Sequence, residues 1–149
     1  NILSSDLKAK KEIDRCYSRL IQALNNGKDV ALYVSSSRRD IEITKAKGIE
    51  RGLEDKEIPV KILEAIATIT QQVIDTCDIQ GLILTGGDTA KTICNKLGGT
   101  GIELLDEIEP GIPLGRLFGT TETFVITKAG AFGTSKTFVK ALKILKGYN

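Results

Sequence analysis

Leu82-Ile83-Leu84-Thr85-Gly86-Gly87-Asp88-Thr89-Ala90-Lys91 and Phe124-Val125-Ile126-Thr127-Lys128-Ala129-Gly130-Ala131-Phe132-Gly133 are the two stretches that decide how this chain folds. Each reads as an apolar strand that ends in a glycine-rich turn before a helical pattern resumes. In an open α/β sheet, ligands bind outside the carboxyl ends of parallel strands, and helix N-termini there present unpaired N–H groups to anions. If the two strands are parallel, both turns face one ligand. A phosphate-bearing ligand, foremost a nucleotide, is the expectation.

The pattern alternates outward from these stretches. Ser4 and Ser5 precede Ile13, Cys16, Leu20, Ile21 and Leu24, whose spacing predicts a capped first helix of about five turns, stopped at Asn26-Gly27. Val30-Ala31-Leu32-Tyr33-Val34 is apolar on both faces and predicts a covered strand. It ends in Ser35-Ser36-Ser37, expected on the same edge as the glycine turns. From Arg38 to Glu57 charges of both signs crowd the chain, with Gly48 and Gly52 interrupting any helix, so the segment reads as a solvated surface helix plus loop rather than a lid. Pro59 opens a second amphipathic segment through Leu63, Ile66, Val73, Ile74 and Cys77.

After the first glycine turn, Ala90, Ile93 and Leu97 mark a short helix stopped by Gly98-Gly99, and Ile102, Leu104 and Leu105 mark a strand. Glu107 to Gly115 reads as loop, because two prolines and two glycines fit poorly inside a regular element. Phe138, Ala141, Leu142 and Leu145 carry the last helix. The alternation predicts an α/β fold: one domain over residues 1–149, with a mostly parallel sheet flanked by helices on both faces.

Composition narrows the function classes. The chain has 149 residues, 41% of them apolar, enough for one packed core. Lys and Arg total 21 against 19 acidic residues, and a net charge of +2 gives no reason to expect nucleic acid. No apolar run approaches the roughly 18 to 20 residues that span a bilayer, and the N-terminus lacks a signal-peptide stretch, so no membrane partner and a cytoplasmic location are expected. Cys16, Cys77 and Cys94 form no CxxC pair and there is no histidine, which excludes a Cys/His zinc site and leaves reduced core thiols. The missing histidine also removes the commonest general base. A chain that begins at Asn1 and contains no methionine reads as a piece of something longer.

The candidate site residues follow from the paired turns. Gly86 and Gly87 let a phosphate approach the backbone and permit φ > 0, while Asp88 or Thr89 suits a helix N-cap. Such turns are common without a ligand, and both GxxxxGK[ST] and a complete GxGxxG are absent, so the reading rests on the pair. Lys128, closing a buried strand just before Gly130, offers a point charge for a β- or γ-phosphate; Lys91, inside a helix, is worse placed. Glu107 and Glu109 are candidate Mg²⁺ partners, although exposed loop charge is the plainer reading of both. Thr120, Thr121 and Thr123 read as turn and strand residues rather than nucleophiles.

The order of these motifs carries a resemblance. A strand with Gly86-Gly87-Asp88-Thr89-Ala90, then Glu107-Ile108-x-Pro110-Gly111-x-Pro113-x-Gly115, then Thr127-Lys128-Ala129-Gly130-x-Phe132-Gly133 resembles the C-terminal nucleotide-binding domain of the four-carbon acid sugar kinases. The similarity runs from Val30 onward and is densest between Gly81 and Gly133. It implies ATP as cofactor with Mg²⁺, and D-threonate, D-erythronate or 3-oxo-tetronate as the acceptor class. It also implies that Gly86, Gly87, Asp88 and Thr89 form a first ATP-contacting loop and that Gly130 belongs to a second; on physical grounds the backbone N–H groups from Gly130 to Gly133 are expected to join the cradle.

The role of Lys128 stays a physical inference, and Ala131 stands where glycine or asparagine is common. The resemblance further implies that an N-terminal substrate domain, holding the sugar acid and the catalytic base, lies outside this chain. A lone nucleotide domain is then expected to bind ATP weakly and to turn over nothing. A non-enzymatic sensor of nucleotide or phosphosugar is the alternative, and oligomeric state is left open, a homodimer included.

Overall fold

A computed structural model of the chain describes residues 2–147. Within them the elements run α1 (Asp6–Asn25), α2 (Arg38–Glu50), α3 (Glu57–Thr76), β1 (Gly81–Thr85), α4 (Gly87–Lys96), β2 (Gly99–Glu109), β3 (Ile112–Gly119), β4 (Thr123–Lys128) and α5 (Thr137–Leu145). The class is α/β, and every described strand lies in one sheet. By its contacts the chain divides into two compact units, Asn1–Cys77 and Asp78–Asn149.

The first unit is helical. Ser5 caps α1, its hydroxyl accepting from the Lys8 amide at 3.2 Å. The helix ends at Gly27 (φ 68°), where Gly27 N–H bonds the Leu24 carbonyl at 2.8 Å and Lys28 N–H bonds the Ala23 carbonyl at 3.1 Å. These paired bonds satisfy carbonyls that the helix leaves open. Helix α2 runs through Gly48 instead of breaking there, because the glycine is buried and the Ile58 side chain of α3 fills the place of a Cβ. Tyr17 and Thr76 hydroxyls join α1 to α3 at 2.9 Å, and Ala65, Ile69 and Val73 form a buried stripe on α3.

The strand expected at Val30–Val34 is not formed. Residues 28–37 take no regular structure, and Val30, Tyr33 and Val34 are 38%, 82% and 51% exposed. Apolar β-branched composition supplies a propensity, but a strand also needs a backbone to pair with, and none does so here among the described residues. The serines that follow serve α2 instead. Ser37 accepts from the Asp40 amide at 3.1 Å and donates to its carboxylate at 2.7 Å, and Ser35 donates to the same oxygen. The Ser35 bond first, then that of Ser37, holds the Asp40 carboxyl below its ordinary 3.8.

The second unit holds the sheet, in the order β1-β4-β3-β2. Strands β1 and β4 are parallel, whereas β3 runs antiparallel to both β4 and β2. The sheet is therefore mixed and not mostly parallel. The cause is the length of the links: Pro110-Gly111 and residues 120–122 are too short for the crossover that a parallel pair requires.

The expected loop at Glu107–Gly115 is instead the end of β2, a two-residue turn and the start of β3. Pro113 is tolerated because the ladder to β4 begins only at Leu114 and the ladder to β2 shifts register between Glu107 and Glu109. Gly115 is required by crowding, since a Cβ there meets the Ile102 side chain and lies 2.6 Å from the Glu103 carbonyl oxygen.

Ile108, Ile112, Leu114 and Ile126 from the strands form one core cluster with Ala141 and Leu145 of α5. All three cysteines are free thiols but only half-buried, and burial pushes the Cys94 thiol up. No described helix is long and apolar enough to cross a membrane.

Two outcomes follow. Gly115→Ala should cost about 1–3 kcal/mol in denaturant unfolding through overpacking against backbone, and an unchanged midpoint would contradict the crowding. Because the Asp40 carboxyl is depressed, its cap is in place above the ordinary value and is lost as pH falls through the lower folded value. Amide protection at Asp40 and Ile41 should therefore hold at about pH 4 and fall below it; an Asp40 carboxyl titrating at or above 3.8 by NMR would contradict this.

Candidate functional site

The site is built entirely within the second unit, from two strand ends, a helix N-terminus and a hairpin turn. Strands β1 and β4 are parallel neighbours with Thr85 opposite Lys128, so the two glycine turns leave the sheet side by side. One step beyond, Gly86 N–H donates to the Lys128 carbonyl at 2.8 Å. Gly86 takes φ 94°, in the left-handed region, and α4 starts at the next residue. The Gly86 carbonyl accepts from Ala90 N–H at 2.9 Å, the first bond of the helix. Helix geometry leaves the N–H groups of Gly87, Asp88 and Thr89 without intrahelical partners, at the positive end of the α4 dipole.

Lys128 forms the opposite wall. It is half-buried, and its ammonium donates to the carbonyls of Ala129 at 3.2 Å and Gly130 at 3.3 Å. The loop over residues 129–136 is exposed throughout and reaches α5 only at Thr137, so this turn is longer than the first. The third wall is the Pro110-Gly111 turn. Gly111 has φ 78°, its N–H donates to the Glu107 carboxylate at 2.9 Å, and the Phe132 ring covers it so closely that a Cβ would lie 2.6 Å from a ring carbon.

These walls enclose a cleft of about 310 Å³. Gly86, Gly87 and Ala90 line it from the first turn, Thr127, Lys128 and Ala129 from the end of β4, and Gly111 and Pro113 from the hairpin. Lys128 carries the only charge among these residues, and Thr127 the only hydroxyl. The arrangement can hold an anion between amide donors and an ammonium. Its lining holds no carboxylate, imidazole or thiol, and the described residues contain no group of three or more side chains fit to hold a metal ion.

Of the residues singled out in the sequence, Gly86, Gly87 and Lys128 line the cleft. Gly86 does so as the residue that shapes the turn, its N–H being already bonded to the sheet. Asp88 and Thr89 stand beside the cleft on the first turn of α4, and Gly130 is exposed with open space around it. Gly133 (φ 89°) packs inward, where a Cβ would lie 2.6 Å from the Thr137 hydroxyl. Glu107 spends one carboxylate oxygen on the hairpin turn. Sequence reading missed Ala90, Gly111, Pro113, Thr127 and Ala129 as lining; Gly111-x-Pro113 was the available signal, hidden by its reading as plain loop.

A family model described as a nucleotide-binding C-terminal domain matches residues 1–138. The chain is 28% identical over 136 residues to a D-threonate kinase of Salmonella typhimurium, a match that covers 90% of this chain and 32% of that enzyme. It is 33% identical over 87 residues to a D-erythronate kinase of Heliobacterium modesticaldum, covering 56% of this chain and 20% of the enzyme. The chain thus spans about a third or less of these relatives. A solved Haemophilus influenzae protein, 21% identical, shares the fold at a TM-score of 0.69 over 89% of this chain and 31% of its own.

The two glycine turns separate in their backbone demands. Gly86→Ala should lower folding stability by about 1–2 kcal/mol, the cost of a left-handed conformation for an L-residue, whereas Gly130→Ala, with nothing within 4 Å of its Cβ, should be near neutral. Equal unfolding midpoints for the two variants would contradict the strain assigned to Gly86.

Proposed function

The chain belongs to the family of nucleotide-binding C-terminal domains of the four-carbon acid sugar kinases, and from that premise we propose that its cleft holds the phosphates of ATP. The observation that carries the reading is the parallel β1–β4 pair, which sets the N-terminus of α4 and the Lys128 ammonium on one cleft. The amides of Gly87, Asp88 and Thr89 donate to phosphate oxygens, and Lys128 exchanges its two carbonyl contacts for a phosphate. Gly130 has room for close approach of the nucleotide to the second loop. Gly133, a member of the same loop, acts as a packing residue against Thr137 and Ile112.

Mg²⁺ brought in with the nucleotide would neutralise phosphate charge and would need few carboxylates from the protein. Asp88, exposed on the first turn of α4, is the carboxylate beside the cleft. Glu107, bound to the Gly111 amide, serves the turn better than a metal.

The reaction is transfer of the γ-phosphate to a hydroxyl of a four-carbon sugar acid of the threonate, erythronate or oxo-tetronate type. Phosphoryl transfer rests on positioning and charge neutralisation, which the amide cradle and Lys128 provide for the donor. No carboxylate or imidazole lines the cleft, and we assign removal of the hydroxyl proton and recognition of the acid to the part that the longer relatives possess beyond this match.

Calorimetric titration with Mg-ATP and Mg-ADP tests the reading. The 149-residue chain should bind both and show no phosphorylation of threonate by itself. Lys128→Ala should weaken binding about ten-fold, the scale of one charge-assisted contact. Unchanged affinity removes Lys128 from the site, and no heat with either nucleotide defeats the proposal as a whole.

A further inference from the structure

We propose that Thr137 is a positioning residue for the cleft, a single buried hydroxyl that fixes two of its walls. The inference rests on the nucleotide reading for what the cleft holds, though not for how the cleft is held. Thr137 is 2% exposed and opens α5. Its hydroxyl donates to the Glu109 carboxylate at 2.6 Å and accepts from the Thr134 amide at 2.7 Å.

The two partners lie on different walls. Glu109 is the last residue of β2, directly before the Pro110-Gly111 turn whose glycine lines the cleft. Thr134 belongs to the exposed loop that leaves the cleft at Ala129. Within that loop Phe132 N–H bonds the Ala129 carbonyl at 3.2 Å and Lys136 N–H the Thr134 hydroxyl at 3.3 Å, and the Lys128 ammonium holds its first two carbonyls; none of these bonds ties it to the end of β2. A helix cap explains the Thr134 bond alone. The Glu109 bond reaches across 28 residues and ties the start of α5 to the strand end before the hairpin turn that lines the cleft.

Gly133 stands beside both the hydroxyl and the Lys128 stem. A Cβ at Gly133 would lie 2.6 Å from the Thr137 hydroxyl, 3.0 Å from Ile112 and 3.2 Å from the Lys128 side-chain carbon next to the ammonium. Thr137, Ile112 and the lysine stem thus crowd the one place that a side chain at Gly133 would take. Fixing Thr134 and Glu109 to one hydroxyl therefore ties the loop beside the lysine stem to the strand end that leads into the hairpin.

The test compares Thr137→Val, isosteric but without the hydroxyl, with Thr137→Ser, which restores it. Backbone amide shifts at Gly111, Ala129 and Gly130 are read by NMR, and Mg-ADP affinity by calorimetry, at a temperature where circular dichroism shows each variant folded. Thr137→Val should move amides on both walls and weaken Mg-ADP about ten-fold, the scale of one lost buried hydrogen bond. Thr137→Ser should leave both readouts near wild type. A folded Thr137→Val with wild-type amides and affinity overturns the proposal, since a residue that only stabilises α5 would lower the unfolding temperature without moving either.

A wild-type chain that binds neither Mg-ADP nor Mg-ATP ends the nucleotide reading, while the amide shifts still decide the positioning role. Should Thr137→Val fail to fold, Glu109→Ala removes the same bond from its other end. Unchanged amides at Ala129 and Thr134 in that variant overturn the proposal.

Discussion

The parallel ladder between β1 and β4 is the constraint on which the rest of the second unit depends. It pairs Thr85 with Lys128 and then continues one bond further, from Gly86 N–H to the Lys128 carbonyl. With its N–H held to the sheet, the chain after β1 has to turn at once for α4 to begin at Gly87. Only a residue at ease with φ 94° does that without strain. The same bond fixes the carbonyl of Lys128, so that its side chain leaves the strand end over its own following turn and reaches the Ala129 and Gly130 carbonyls. A slip of one residue in this register would send Lys128 to the other face of the sheet and dissolve the cleft.

At the end of β2 two acidic residues are spent on shape. Glu107 binds the Gly111 amide and Glu109 the Thr137 hydroxyl, so both carboxylates at the end of β2 are tied to donors beside the cleft. They brace the hairpin turn and the start of α5, and neither lines the cleft, where the charge is that of Lys128.

The sequence made legible whatever is written in local chemistry. The caps and stops at Ser5, Gly27 and Gly98, and the strand-to-helix passage at Gly86-Gly87, follow from side-chain oxygens and glycine φ values within a few residues. What was lost depends on partners distant in the chain. Val30–Val34 has the composition of a strand and no ladder, and Gly48 looks like a helix breaker until Ile58 is seen filling its place. Pro113 and Gly115 sit inside β3 because the ladders on either side leave room for a proline and demand a glycine. The same blindness hid the lining: Gly111 and Pro113 join the cleft through the hairpin fold, which spacing alone does not reveal.

A cleft walled by glycine, alanine, proline and threonine admits close approach but gives little surface for grip. Its polar capacity lies in backbone N–H groups and one ammonium, and that ammonium is already satisfied by two carbonyls. An anion entering must replace those contacts, so the net gain from Lys128 is the difference between a charge–charge contact and two charge–dipole contacts, far less than the full Coulomb term. That difference grows where water is excluded. A second body closing over the open side of the cleft would strengthen every donor in it at once, which ties tight binding and chemistry to the same event. On the proposed reading, the small residues that make this half of the site weak on its own are those that let phosphate sit within reach of an acceptor held from the other side.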